Sequence, residues 1–103
     1  MATFKTNNVI DSHLTSTGLH ASLSVGTSAV ELKVGGSRLA TRRAVSFQPN
    51  DTGVYFGYSS SVTTTTGTQV FKDQLLIIPV TENGEIWLIG NGAGKTVRIG
   101  ELK

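Results

Sequence analysis

The stretch Ile89-Gly90-Asn91-Gly92-Ala93-Gly94-Lys95-Thr96 ends in the Gly-Lys-Thr of a phosphate-binding loop. That loop needs G-x-x-x-x-G-K-[ST], because successive backbone N–H groups must curl around a phosphate before the lysine and hydroxyl reach the terminal oxygens and Mg²⁺. Counting back from Gly94, the first glycine belongs at position 89, which is Ile89, and Gly90 is one residue too close. A helix must follow, yet Thr96-Val97-Arg98-Ile99-Gly100-Glu101 is β-branched and alternating. The segment therefore reads as a Gly/Asn turn between two strands, where φ > 0 costs little.

Other reactive residue types are few. Asp11-Ser12-His13 collects the types of a hydrolase triad, but sequence neighbours cannot make the nucleophile-to-base and base-to-orienter contacts that fold-separated residues make. His13 and His20 are the only imidazoles and lack an obvious third ligand, so no metal site is expected. The carboxylates Asp11, Glu31, Asp51, Asp73, Glu82, Glu85 and Glu101 fall mostly in turns or on polar faces, and turn formation accounts for Asp51 and Asp73 better than Ca²⁺ does. Asn50-Asp51-Thr52 fits a glycosylation sequon and is read as a turn. These readings together lead to the expectation of a non-enzymatic protein without cofactor or metal.

Aromatic rings offer a different chemistry, since exposed rings on β-sandwiches bind sugars. Tyr55, Tyr58 and Trp87 are the candidates. Tyr55 and Tyr58 have opposite strand parity, so one of them should face out. Trp87 lies within the apolar run Ile86 to Ile89, which points to core packing with both faces covered.

The elements that would position these groups are strands. The chain has 103 residues, 12 glycines and no cysteine, so one core is expected, with neither disulfides nor thiolate-held metal to support it. A formal charge of +2 is too small for a nucleic-acid footprint, and Arg38, Arg42 and Arg43 read instead as a solvated or subunit-contacting loop. No apolar run approaches the ~20 residues of a membrane span, and Met1 to Asn8 lack a signal-peptide core, so synthesis in a cytoplasm is expected.

Leu19, Ala21, Leu23 and Val25 alternate with polar residues as in a half-buried strand. Gly26-Thr27-Ser28 then reads as a hairpin turn into Val30, Leu32 and Val34. Val45 and Phe47 mark the next strand, Pro49 to Gly53 a turn, and Val54 to Tyr58 an aromatic strand. Ser59 to Gly67 is a hydroxyl-rich loop from which Val62 should dip toward the core. Val70-Phe71 and Leu75 to Val80 read as buried strand, with Pro79 at a strand end or edge. Asn83-Gly84 turns into Glu85 to Ile89, and Val97 to Ile99 close the set. The fold class expected is all-β: a single small antiparallel β-sandwich or jelly-roll-like barrel over residues 19–103. Residues 1–18 show no sustained period and read as an extended arm.

The order of these pieces, Val25-Gly26-Thr27, Arg43 with Val45-Ser46-Phe47-Gln48, Val54-Tyr55-Phe56-Gly57, Val62-Thr63-Thr64 with Gly67, and Val97-Arg98-Ile99-Gly100-Glu101, resembles a family of small bacteriophage virion accessory proteins. The likeness covers about four-fifths of the chain and leaves the arm out. It implies a β-sandwich of the phage particle, in a capsid decoration, head fibre, neck or tail, and carries no catalytic residue with it. The expectation that follows is a capsid decoration or cement protein of the virion, a symmetric homo-oligomer, taken as a trimer, that binds the major capsid protein and neither membrane nor nucleic acid. Phe4, Val9, Ile10 and Leu14 would supply apolar contacts, Lys5 a charged one, and Arg38, Arg42 and Arg43 would pair with acidic shell residues. The alternative is a carbohydrate-binding or receptor-facing module of a tail or head fibre, built on the three aromatic residues.

Overall fold

Strand β1 (Gly18–Val25) opens the structure, a computed structural model that describes residues 18–103. Gly18 already pairs with Leu102, so the strand begins one residue ahead of the expected boundary. The arm residues Phe4, Lys5, Val9, Ile10 and Leu14, and the Asp11-Ser12-His13 run, lie outside the described residues. The strands that follow are β2 (Val30–Glu31), β3 (Ala44–Pro49), β4 (Val54–Gly57), β5 (Thr68–Val70), β6 (Leu76–Pro79), β7 (Trp87–Gly90) and β8 (Lys95–Leu102). The described residues contain no helix long and apolar enough to cross a membrane.

The strands form two antiparallel four-stranded sheets, with orders β1-β8-β3-β6 and β2-β7-β4-β5. Four of the pairings nest: β1 with β8, β2 with β7, β3 with β6, and β4 with β5. A long hairpin folded at its β4–β5 end and then rolled up produces this nesting, and the β3–β8 and β4–β7 ladders stitch the roll into two sheets. This is the jelly-roll strand order. The sheets stay open-edged, with β1 and β6 at the margins of the first and β2 and β5 at those of the second.

The rolled topology corrects the hairpin expected at Gly26-Thr27-Ser28 and redefines the Gly/Asn turn before Lys95. Every connection except β4–β5 passes from one sheet to the other, so Gly26-Thr27-Ser28 and the Gly-rich run before Lys95 are corners between layers. The hydrogen bonds show why. The Gly90 N–H donates to the Gly26 carbonyl at 2.8 Å and the Asn91 N–H to the Gly53 carbonyl at 2.9 Å, which ties three corners together. β1 finds its long partner in β8 through an eight-residue register, an area of pairing that the two-residue β2 cannot offer.

Strand parity fills the space between the sheets. Val45 and Phe47 of β3, Val97 and Ile99 of β8, Val54 and Phe56 of β4 and Leu88 of β7 form the core with Val25, Leu32, Val70 and Ile86. Burying each such side chain contributes ~1.5–3 kcal/mol before the entropy of ordering is charged against it. Phe47 and Phe56 meet edge-to-face across the layers, with ring centroids 5.2 Å apart, the offset geometry that aromatic quadrupoles favour.

Two loops depart from a plain reading. Val62 is buried, at 8% exposure, but against the outer face of β4 rather than in the core between the sheets. It fits because Gly57 has no side chain there: a Cβ on Gly57 would lie 2.5 Å from Val62 Cγ2. The run Leu75 to Val80, expected as buried strand, is instead a half-buried edge: Leu76 to Ile78 are half-buried, Pro79 is exposed, and Leu75 and Phe71 are 56% and 62% exposed. Pro79 ends the edge strand, where its missing N–H costs no ladder bond.

Candidate functional site

The three arginines of the 38–43 segment go to three different places. Arg42 turns inward, 1% exposed, and its Nη1 donates to Glu101 Oε2 at 2.6 Å. Its Nη2 donates to the Gly84 carbonyl at 2.7 Å and its Nε to the Thr81 carbonyl at 3.1 Å. Glu101, 0% exposed, also accepts from the Val34 N–H at 2.7 Å and the Leu39 N–H at 2.9 Å. A desolvated charge is tolerable only when paired and hydrogen-bonded in this way. The pair bolts the β2–β3 loop and the 81–84 turn to β8, so Arg42 is a structural residue and leaves the set of partner contacts proposed from sequence.

Arg38 stays at the surface and organises a groove. Its Nε donates to Glu31 Oε2 at 2.5 Å, its Nη1 to the Glu82 carbonyl at 3.1 Å, and its Nη2 lies 3.8 Å from Glu85 Oε2. The hydrogen bond that Arg38 donates to Glu31 holds the guanidinium above its ordinary pKa. Lys33 Nζ lies 3.7 Å from the other Glu31 oxygen. Glu82 Oε1 accepts from the Thr41 N–H at 2.6 Å, which steadies Thr41 at φ 57°. Glu31, Lys33, Gly36, Ser37, Arg38, Glu82 and Asn83 line an open recess of about 400 Å³.

Trp87 stands beside that recess. It is the register partner of Glu31, so both side chains leave the same outer face of the second sheet. The indole is half-buried, which corrects the expectation that both its faces are covered. Its Nε1 donates to Glu85 Oε1 at 2.7 Å. A chain of polar contacts thus runs from Lys33 through Glu31, Arg38 and Glu85 to the indole. Tyr55 shares the outer face, one step diagonal from Trp87 through the Tyr55–Ile89 pair. Tyr58 has the opposite parity and is 69% exposed beyond the end of β4, its ring edge-on to Phe56 at 5.9 Å.

Arg43 is exposed at the head of β3 and forms no ion pair among the described residues. With Pro79, Val80 and Thr81 it lines a second open recess of about 430 Å³. This recess ends a strip of apolar surface along the free edge of β6. At the other end of the strip a tight turn holds Phe71 and Leu75 in solvent. The Phe71 N–H donates to Gln74 Oε1 at 3.0 Å, the Asp73 N–H to the Pro49 carbonyl at 2.8 Å, and Gln48 Nε2 to the Asp73 carbonyl at 3.0 Å. Asp73 sits at φ 63°, a conformation its short polar side chain tolerates. The two apolar side chains are therefore presented by a pinned turn.

The phosphate-loop lookalike is used up internally. Lys95 and Thr96 open β8, and the Thr96 N–H donates to Asp51 Oδ2 at 3.0 Å. His20 is exposed on β1, and no group of three or more histidines and acids converges among the described residues. Sequence reasoning missed Glu101, Glu31, Phe71 and Leu75. For Glu101 the signal was present: alternation through Val97 and Ile99 carries position 101 inward. For Phe71 and Leu75 the turn was marked by Asp73, but their exposure follows from the edge position of β6, which no local signal gives.

No family model matches the chain, and no curated protein matches it.

Proposed function

We propose that this protein is a non-enzymatic structural component of a bacteriophage particle, a decoration protein that binds the assembled capsid as a homo-oligomer, in our reading a trimer. The observation that carries the reading is the pinned presentation of Phe71 and Leu75, 62% and 56% exposed, beside the open apolar edge of β6. Large apolar side chains held rigidly in solvent next to unpaired strand amides favour burial against another chain. The jelly-roll order supports it, because that architecture recurs in viral shell and lectin domains, although fold alone does not assign function. The ordered resemblance of segments from Val25 to Glu101 to phage accessory proteins is the third support.

In this reading the β6 edge with Phe71 and Leu75 makes the contact between copies, and Arg43 with its recess meets acidic residues of the shell. Several weak contacts held in one symmetric oligomer multiply into firm attachment. Phe4, Lys5, Val9, Ile10 and Leu14 remain candidate anchors outside the described residues. The test is co-sedimentation of the full chain with capsid shells of the encoding phage. Saturable binding at a fixed ratio to the major capsid protein supports the reading; shells that pellet without it overturn it.

A further inference from the structure

We propose that the groove bounded by Lys33, Arg38 and Asn83, with the indole of Trp87 beside it, binds a neutral saccharide. The site is independent of the β6 edge and goes beyond the shell-binding reading.

Charge selects the ligand class first. Both cations of the groove are already neutralised: Lys33 and Arg38 share Glu31, and Arg38 also faces Glu85. Glu82 also lines the recess, its Oε1 held by the Thr41 N–H, so an anionic ligand meets these carboxylates while a cation meets Lys33 and Arg38. An uncharged ligand meets neither penalty. What the groove offers is hydrogen-bonding capacity in a fixed frame. Glu31, whose side chain is 10% exposed, has both oxygens held by cations and keeps lone pairs in reserve. Ser37 and Asn83 line the recess with side chains that make no hydrogen bond among the described residues. Alternating donors and acceptors of this kind match vicinal hydroxyls, each of which both donates and accepts.

Shape and rigidity add to this. A recess of about 400 Å³ lies in the range of small-molecule sites, roughly 300–1,000 Å³. The indole beside it cannot turn freely, since Glu85 holds Nε1 and the β2–β7 pairing fixes the backbone. A fixed ring gives the apolar C–H face of a pyranose a place to stack with little ordering cost.

Trp87 is the only tryptophan of the chain, so its emission reports this site alone. The experiment titrates the full-length protein with maltotriose, cellotriose and an N-acetylglucosamine trimer, following tryptophan emission and, in ¹⁵N-labelled protein, the indole and backbone N–H signals. The expected result is a saturable change for at least one neutral trisaccharide, with shifts confined to residues 31–38, 82–87 and the indole, and affinity lowered about tenfold in Asn83→Ala, worth about 1.4 kcal/mol. Asn83 is exposed, so this variant tests the site without threatening the fold. Three results overturn the proposal: no response to any of the three sugars at millimolar concentration; sugar-induced shifts that leave the indole and the groove unmoved; or a response to inorganic phosphate or sialyllactose that the neutral sugars do not produce. Loss of shell binding with sugar binding intact separates the two proposals.

Discussion

Arg42 Nη1 and Glu101 Oε2 lie 2.6 Å apart with neither side chain exposed to solvent. The pair joins the loop before β3 to the last strand and fixes the shape of the end of the sandwich that carries the groove. Glu101→Leu leaves the guanidinium buried without its counter-charge, and we expect a loss of ~3–5 kcal/mol in urea unfolding. Arg42→Met should cost a similar amount. The double variant should lose clearly less than the sum of the two, because no unpaired charge is left buried and its remaining cost is the orphaned Val34 and Leu39 amides and the Thr81 and Gly84 carbonyls. Strict additivity would show that the two charges do not act as a pair.

Val62 holds the hydroxyl-rich loop onto the outer face of the second sheet. Val62→Ala should lower stability by ~1–2 kcal/mol and speed amide exchange in residues 59–67. Gly57→Ala forces a methyl against Val62 Cγ2 and should destabilise more than an ordinary Gly→Ala change on a strand. A neutral or stabilising Gly57→Ala would mean that Val62 does not occupy that space.

The amide of Thr96 is held by Asp51. Asp51→Ala should therefore cost ~1.5–3 kcal/mol, the range for a hydrogen bond to a charged acceptor. ATP or inorganic phosphate should fail to restore stability in thermal melts of either protein. A phosphate-dependent rise in Tm would show that the run ending in Lys95-Thr96 does bind phosphate.

Phe71 and Leu75 should govern self-association. Light scattering on the full-length protein should give a trimer mass, and Phe71→Ser with Leu75→Ser should shift it to monomer with unchanged far-ultraviolet dichroism and urea midpoint, since both side chains are solvent-exposed. An unchanged mass in the double variant would place the subunit contact elsewhere.

Strand existence was legible because inward positions alternate with polar ones, as at Val45 and Phe47 or Val97 and Ile99, and turn chemistry marked most boundaries. Layer assignment was not. A corner between sheets and a hairpin turn use the same Gly, Asn and Ser residues, and only long-range pairing, β1 with β8 across the length of the chain, separates them. The candidate site was half legible. Arg38 and Trp87 stood out by type, but Glu31 and Glu85 become their partners only after β2 is laid beside β7. Arg42 and Arg43 are adjacent in sequence, yet Arg42 is buried on Glu101 and Arg43 is in water; both precede β3, and the parity of Val45 and Phe47 carried back to them points the other way.

The central claim, that this jelly-roll domain is a decoration of the phage shell, is tested most directly by an averaged cryo-electron-microscopy map of the encoding phage, with the protein carrying a gold-binding or antibody tag. The account predicts tagged density in threefold clusters on the outer capsid surface, each cluster touching more than one major capsid subunit. Tagged density confined to the neck, tail or fibres, or particles that carry none, would contradict it.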